Sequence, residues 1–285
     1  MADQELTSEI LKKKWDRFSS IFQFYVEPQT LPVAHILIAN LRLKLRNIAP
    51  PRAVLEVACG AGASTKLLLS MKETSTSLTA VDLSTEMITL AKDRLGMAQS
   101  QDSDESKLLT VKQADAEHLP FGDAAFDRYM CNFCLHLVVD PDQMLRESYR
   151  VLESGGIATF SVWGRPENSN QFTITKNMAE ALDIHIPRTG KTAFHLHDIE
   201  LLKKMALAAG FSKVLAGYTF NNALVLTGKE YVECFLSGPD VIDTMTRIGA
   251  EKSEQWKKNT EEYVDDLLSK GQFIGLEVAY LVCIK

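Results

Sequence analysis

The chain has little cysteine, no long apolar run and no excess of positive charge, and each shortage removes a class of protein. Five cysteines in 285 residues are too few, and odd in number, for a disulfide framework, so they read as thiols of a reducing compartment. No stretch approaches the roughly 18 consecutive apolar residues of a membrane-spanning helix. The opening segment, Met1 to Trp15, has no apolar block after its charges and is too acidic for a transit peptide, so a cytoplasmic location is expected. With 31 basic side chains against 37 acidic ones, the net charge of −6 offers no field to gather a phosphate backbone, and nucleic acid is not an expected partner. Lys12, Lys13 and Lys14 read as the solvated face of a helix. There are no internal repeats, and the one polar tract, Ser100 to Ser106, reads as a surface loop.

What is present is an ordinary globular balance, 46% apolar and 24% charged, sufficient for a packed core. From Ala53 onward, short apolar runs alternate with amphipathic segments, the pattern of parallel strands joined by crossover helices. Strands are expected at Ala53 to Ala58, Leu78 to Val81, Lys107 to Gln113, Ala125 to Cys131, Ile157 to Val162, Phe211 to Phe220 and Leu276 to Ile284. Ser84 and Asp140 stand where N-caps belong, and Gly210 where a helix ends. A mostly polar helical stretch runs from Glu251 to Lys270. Two segments fall outside the alternation, residues 1–49 and 165–195, and both read as lid. They divide one domain into an N-terminal helical lid, a core at 50–164, a lid insertion, and a C-terminal part of the core sheet at 196–285. Pro50-Pro51 marks the first boundary.

In such a sheet, ligands sit beyond the carboxyl ends of the strands where connectivity reverses. Gly60 and Gly62 fall in the turn after the first strand, where glycine allows positive φ and close backbone approach, and the following helix offers unpaired N–H groups. Asp82 ends the second strand, roughly 20 residues on, the place from which a carboxylate accepts ribose hydroxyls. Glycines and an acid so placed fit a nucleoside-containing cofactor, NAD included.

Further motifs follow in order. Val54-Leu55-Glu56-Val57-Ala58-Cys59-Gly60-Ala61-Gly62, then Val81-Asp82-Leu83-Ser84 with Met87, then Gln113 to Phe121 ending in Phe126-Asp127, then Arg150 to Gly156 together resemble the class I S-adenosylmethionine-dependent methyltransferases. Within these, the similarity is to the small-molecule branch that includes the ubiquinone and menaquinone biosynthesis enzymes. It covers Ala53 to Trp163 well and the last two strands more loosely. It implies an α/β, Rossmann-like three-layer sandwich with a seven-stranded, mostly parallel sheet and a helical lid. By that resemblance Gly60 and Gly62 approach the methionine part of S-adenosylmethionine, and Glu56 organises its end through water. Asp82 holds the ribose, Leu83 and Met87 flank the adenine, Asp115 with Ala116 meets the adenine edge, and Cys131 walls the methionine moiety. Ala58 departs from the family's glycine. Thr65 stands where a dinucleotide fingerprint needs a third glycine, which weakens NAD.

The expected activity is methyl transfer to a small-molecule acceptor, leaving S-adenosylhomocysteine; the alternative is a non-catalytic S-adenosylmethionine-binding regulatory or assembly protein. Because a sulfonium methyl group is already electrophilic, alignment and exclusion of water carry most of the chemistry. Should the acceptor need a base, His136 near the end of the fourth strand is the candidate, against a packed histidine as the plain alternative. His195 ends the lid insertion, where it can face substrate, and His118 reads as structural. No histidine has neighbours that complete a metal set. Cys131 and Cys134 share a C-x-x-C spacing, but at a strand end rather than a helix start, so redox chemistry is not expected. Tyr25 and Phe18 are the N-terminal aromatics assigned to the cofactor and the acceptor; Trp163, directly after the fifth strand, borders the acceptor or simply packs. The acceptor, the methylated atom and the oligomeric state are not encoded in these motifs.

Overall fold

The computed structural model describes residues 6–97, 108–187, 191–223 and 225–285, with the backbone alone of Tyr25 and Pro239. The polar tract expected to be a loop, 100–106, lies outside the described residues. Two helices come first, α1 (Ser8–Tyr25) and α2 (Glu27–Asn40). The alternation follows as β1 (Ala53–Val57), α3 (Ala63–Met71), β2 (Ser77–Asp82), α4 (Thr85–Arg94), β3 (Leu109–Gln113), β4 (Phe126–Cys131), α5 (Pro141–Val151) and β5 (Leu152–Trp163). Then come α6 (Asn170–Glu180), α7 (Ile199–Ala208), β6 (Lys213–Asn222), α8 (Gly228–Phe235), α9 (Pro239–Ile248), α10 (Ala250–Ser269) and β7 (Gly275–Ile284).

Local chemistry sets the ends of these elements. The Ser84 side chain accepts the Met87 N–H and starts α4; that of Asp140 accepts the Gln143 N–H, with Pro141 pre-set in the first turn of α5. Gly210, at φ +113°, turns the chain out of α7 while the Phe211 N–H bonds back to the Ala206 carbonyl.

The seven strands form one sheet in the order β3-β2-β1-β4-β5-β7-β6. The first five are mutually parallel, and β7 runs antiparallel between β5 and β6. All five residues of β1 are buried, as a strand covered on both faces requires. One face packs on Met144 and Leu145 of α5 and Leu202 and Ala206 of α7. The other packs on Leu37 and Ile38 of α2 and Leu68 of α3, with Ile88 and Ala91 of α4 alongside. This is the expected three-layer sandwich. Its strand order reverses between β1 and β4, opening a crevice at their carboxyl ends. Among the described residues no helix is long and apolar enough to cross a membrane.

The helical layer that includes the 165–195 segment extends well beyond it. Ile174 and Ala179 of α6 share a separate hydrophobic cluster with Tyr231 and Val232 of α8 and Trp256 and Val264 of α10. The segment 196–285 is therefore not core sheet throughout: between β6 and β7 the chain leaves the sheet and builds most of a helical cap.

Glu277 on β7 anchors the passage from β5 into this cap. It is 6% exposed and accepts from the Arg165 Nε and Nη2 at 2.7 Å each, the Arg165 backbone N–H at 3.0 Å and Asn168 Nδ2 at 2.8 Å. The guanidinium holds its carboxyl down at about 2. A carboxyl depressed in the folded state stabilises above its ordinary pKa and loses that contribution as pH falls through the depressed value. Glu277→Gln is expected to destabilise the protein at neutral pH by about 2 kcal/mol, the scale of hydrogen bonds to a charged group. Urea unfolding should show the deficit shrinking as pH drops from roughly 4.5 toward 2; a deficit constant over that range contradicts the assignment.

Candidate functional site

A cavity of about 300 Å³ opens in the crevice, in the size range of small-molecule sites. Its floor is the turn from β1 into α3. Ala58, Gly60 and Gly62 all take left-handed backbone there, at φ +58°, +54° and +83°. For Ala58 that conformation costs about 1–2 kcal/mol that a glycine would not bear. Phe133, just past β4 on the other side of the reversal, is left-handed too, at φ +55°, and is held there by Ser161, whose carbonyl and Oγ both accept its N–H. Strained non-glycine backbone thus flanks the crevice on both sides, a pattern typical of functional sites. A Cβ on Gly60 would come within 3.0 Å of the Phe22 ring on α1, and one on Gly62 within 3.0 Å of Ala91 Cβ on α4. The first glycine lets the roof approach; the second seats α3 against α4.

Glu56, inside β1 and 1% exposed, receives the Ser64 hydroxyl on one oxygen and the Thr65 hydroxyl on the other, the latter at 2.6 Å. Burial pushes its carboxyl up to about 7 against the pull of the two hydroxyls, and the Asp82 charge adds to the rise. The place where a dinucleotide fingerprint needs glycine is thus filled by a side chain that serves Glu56.

Asp82 at the end of β2 accepts the Gly60 N–H on one oxygen and the Ser84 N–H on the other, both at 2.9 Å. Burial raises its carboxyl, opposed by those N–H groups. A carboxylate has about four lone-pair sites, so acceptor capacity remains beside the cavity. Leu83, Met87, Asp115 and Ala116 continue the wall, with Asp115 Oδ1 fixed by the Glu117 N–H at 3.0 Å.

The roof is α1. Asp16 accepts from Ser84 Oγ at 2.6 Å and from Lys12 Nζ at 2.7 Å, and Lys12 also donates to Thr85 Oγ1 at 2.9 Å, so the helix rests on the start of α4. Beneath it Trp15, Phe18 and Phe22 meet edge to face, with ring centroids 5.7–6.5 Å apart. Phe18 and Trp163 border the cavity.

Several expected site residues do not border it. Glu56 stands behind Ser64, Gly62 is buried under α4, and Cys131 is sealed inside β4. Tyr25 closes α1, and its side chain lies outside the described part of the chain. The base assigned to His136 requires correction. The ring is 3% exposed, packed between Phe133 and Trp163 with both nitrogens unpartnered, and it is not on the cavity wall. Burial lowers its pKa to about 3, so it is neutral and a poor proton acceptor. His195 is likewise off the wall; its Nδ1 bonds the Thr192 carbonyl and its Nε2 is buried. Among the described residues no three His, Cys, Asp or Glu side chains are grouped to hold a metal ion.

Sequence reasoning missed Asp16, Ser64 and a set of carboxamides that border the cavity, Gln29, Asn132, Gln171 and Asn221. Ser64 and Thr65 had a legible signal: two hydroxyls in the first turn of the helix that follows a strand carboxylate. The carboxamides come from four distant segments and had none.

Residues 55–160 match the family described as methyltransferase domain. The chain is 36% identical over 103 residues to the ubiquinone/menaquinone biosynthesis C-methyltransferase UbiE of Bartonella tribocorum, covering 36% of this chain and 38% of that protein. It is 29% identical over 195 residues to the UbiE of Laribacter hongkongensis, covering 63% and 75%. The match thus spans well under half of the first relative and about three quarters of the second. Among solved structures, phosphoethanolamine N-methyltransferase 2 of Haemonchus contortus, bound to phosphomonomethylethanolamine and S-adenosylhomocysteine, superposes with a TM-score of 0.59 at 14% identity, over 98% of this chain and 60% of that one. The [4+2]-cyclase SpnF superposes at 0.57 and 16%, over 98% and 97%. Such identities speak for the fold alone. Together with the glycine turn, Asp82 and the strand order, these matches identify the chain as carrying a class I, Rossmann-like methyltransferase domain similar over that stretch to the UbiE C-methyltransferases.

Proposed function

We propose that the chain binds S-adenosylmethionine in this cavity and transfers its methyl group to a small-molecule acceptor, releasing S-adenosylhomocysteine. The observation that carries this reading is Asp82, rigidly held by two backbone N–H groups yet with acceptor capacity left over beside the left-handed glycine turn. Ribose hydroxyls satisfy that capacity, Leu83 and Met87 sandwich an adenine, and Asp115 takes its amino group. The methionine end lies over Gly60, with Glu56 and Ser64 beneath it. The names of the UbiE relatives support the same chemistry.

The bound cofactor supplies an electrophilic methyl carbon on a positive sulfur. The chain itself orients and dries the site. Gly60 and Ala58 set the methionine end, Phe133 and Trp163 limit where an acceptor atom stands, and the aromatic roof of α1 excludes water. When bound, the cofactor would supply that methyl group to the acceptor and leave as S-adenosylhomocysteine, with the acceptor proton passing to water. With His136 buried and neutral, no side chain of this chain is assigned as base. A cytoplasmic site of action is part of the reading, consistent with five free thiols.

A second reading, cofactor binding without methyl transfer, draws on the sharing of this fold with a cyclase. Two measurements separate the possibilities. Calorimetry is expected to show saturable binding of S-adenosylmethionine to the folded chain; no heat at millimolar cofactor removes both readings. Labelled methyl transfer into a metabolite extract is expected next; tight binding with no labelled product across a broad extract selects the second reading.

A further inference from the structure

The side of the cavity formed by α2, β4, β5, α6 and β6 is lined by neutral amides and aromatic rings. Gln29 organises the amides: its backbone carbonyl accepts Asn221 Nδ2 at 2.6 Å, and its side-chain oxygen accepts Gln171 Nε2. Asn132 donates to the Thr30 carbonyl at 3.1 Å and accepts from Ser161 Oγ at 2.7 Å. Gln171 is 2% exposed, and its Oε1 is buried without a partner. Beside these amides stand Trp163 and Phe172, stacked at 4.0 Å and 12°, with Phe235 edge-on to Phe172.

The charges are as informative. Among the described residues that border the cavity there is no lysine, arginine or histidine, whereas Glu27, Asp82, Asp115 and Glu117 are all present. Nearby cations are committed elsewhere: Arg94 to Glu27, Lys12 to Asp16, Arg165 to Glu277. A carboxylate or phosphate brought into this space would lose its hydration without gaining a counter-charge, and would face the existing carboxylates. An uncharged polar group meets amides that can both donate and accept.

We propose that this wall, polar through Gln29, Asn132, Gln171 and Asn221 but without a cation and flanked by carboxylates, acts as a charge filter that admits uncharged acceptors and turns away carboxylates and phosphates. The inference rests on the acceptor sharing the proposed cofactor cavity, and it narrows the substrate class. The phosphate-bearing ligand named for the Haemonchus structure has no counter-charge waiting here.

The test reads binding rather than turnover. The full chain is saturated with S-adenosylhomocysteine, whose own binding reports separately on the cofactor assignment. It is then titrated with 4-hydroxybenzamide, 4-hydroxybenzoate and 4-hydroxyphenyl phosphate by ligand-observed NMR. The amide is expected to bind at least tenfold more tightly than either anion. Gln171→Arg is expected to reverse that order by tenfold or more for the carboxylate. Cys234→Arg, at a half-buried wall position on α8, provides the same added charge should the first variant fold poorly. Equal or tighter binding of an anion to the wild type overturns the filter. So does binding of none of the three while S-adenosylhomocysteine binds, or an unchanged order in both arginine variants.

Discussion

Replacing Asp82 by alanine is expected to weaken S-adenosylmethionine binding by on the order of 1–3 kcal/mol, roughly 5- to 150-fold in the dissociation constant, the worth of charge-assisted hydrogen bonds lost from a ribose. The structure adds a second source of loss. Both oxygens of Asp82 also hold backbone N–H groups, of Gly60 in the turn below and of Ser84 at the start of α4. Alanine therefore frees the glycine turn and the α4 N-terminus along with the sugar contact. The informative control is Asp82→Asn, which keeps one acceptor oxygen and should fall between wild type and alanine. Calorimetry on the three proteins, each confirmed folded, decides the matter. Affinity unchanged in Asp82→Ala places the ribose somewhere other than the end of β2.

The sheet and the glycine-turn side of the cavity were legible because they rest on short-range signals. A buried run, a glycine turn, a serine cap and an acid at a strand end lie close together in the chain, and each has a local physical cause. The glycine turn also shows the limit of such signals. Ala58 looks like a mild departure from glycine in sequence, and only the backbone reveals it as left-handed and strained. The amide-lined side was not legible, since Gln29, Asn132, Gln171 and Asn221 converge from two helices, a loop and an edge strand. His136 illustrates the same gap. Its position after β4 suits a base, but its environment is set by Phe133 and by Trp163, which arrives with β5. Burial of a titratable group is a tertiary property, and no spacing reports it. The helix at Glu251 to Lys270 was legible but its packing was not, for a related reason: α8 and α10 bury Tyr231 and Trp256 against α6, which is distant in sequence.

Glu56 gives the second large expected effect, and its sign follows from burial. Its carboxyl titrates at about 7 in the folded chain against an ordinary value of 4.5. Between those values the folded state keeps a proton that the unfolded state has lost. Stability contributed by this group is therefore full below the ordinary pKa and is lost as pH rises toward the folded value, by on the order of 3 kcal/mol in all. Glu56→Gln cannot titrate, and its amide still offers groups to Ser64 and Thr65. Relative to wild type, the variant is expected to gain stability by that order as pH rises from about 5 to about 8, read from urea unfolding of the cofactor-free proteins. Parallel pH profiles for the two proteins would mean that Glu56 is already ionised in the fold. Cofactor should shrink the difference. An ammonium group placed over Ser64 favours the Glu56 carboxylate, so binding near neutral pH is expected to release a proton from wild type and none from Glu56→Gln, a contrast that calorimetry in buffers of different ionisation enthalpy measures directly.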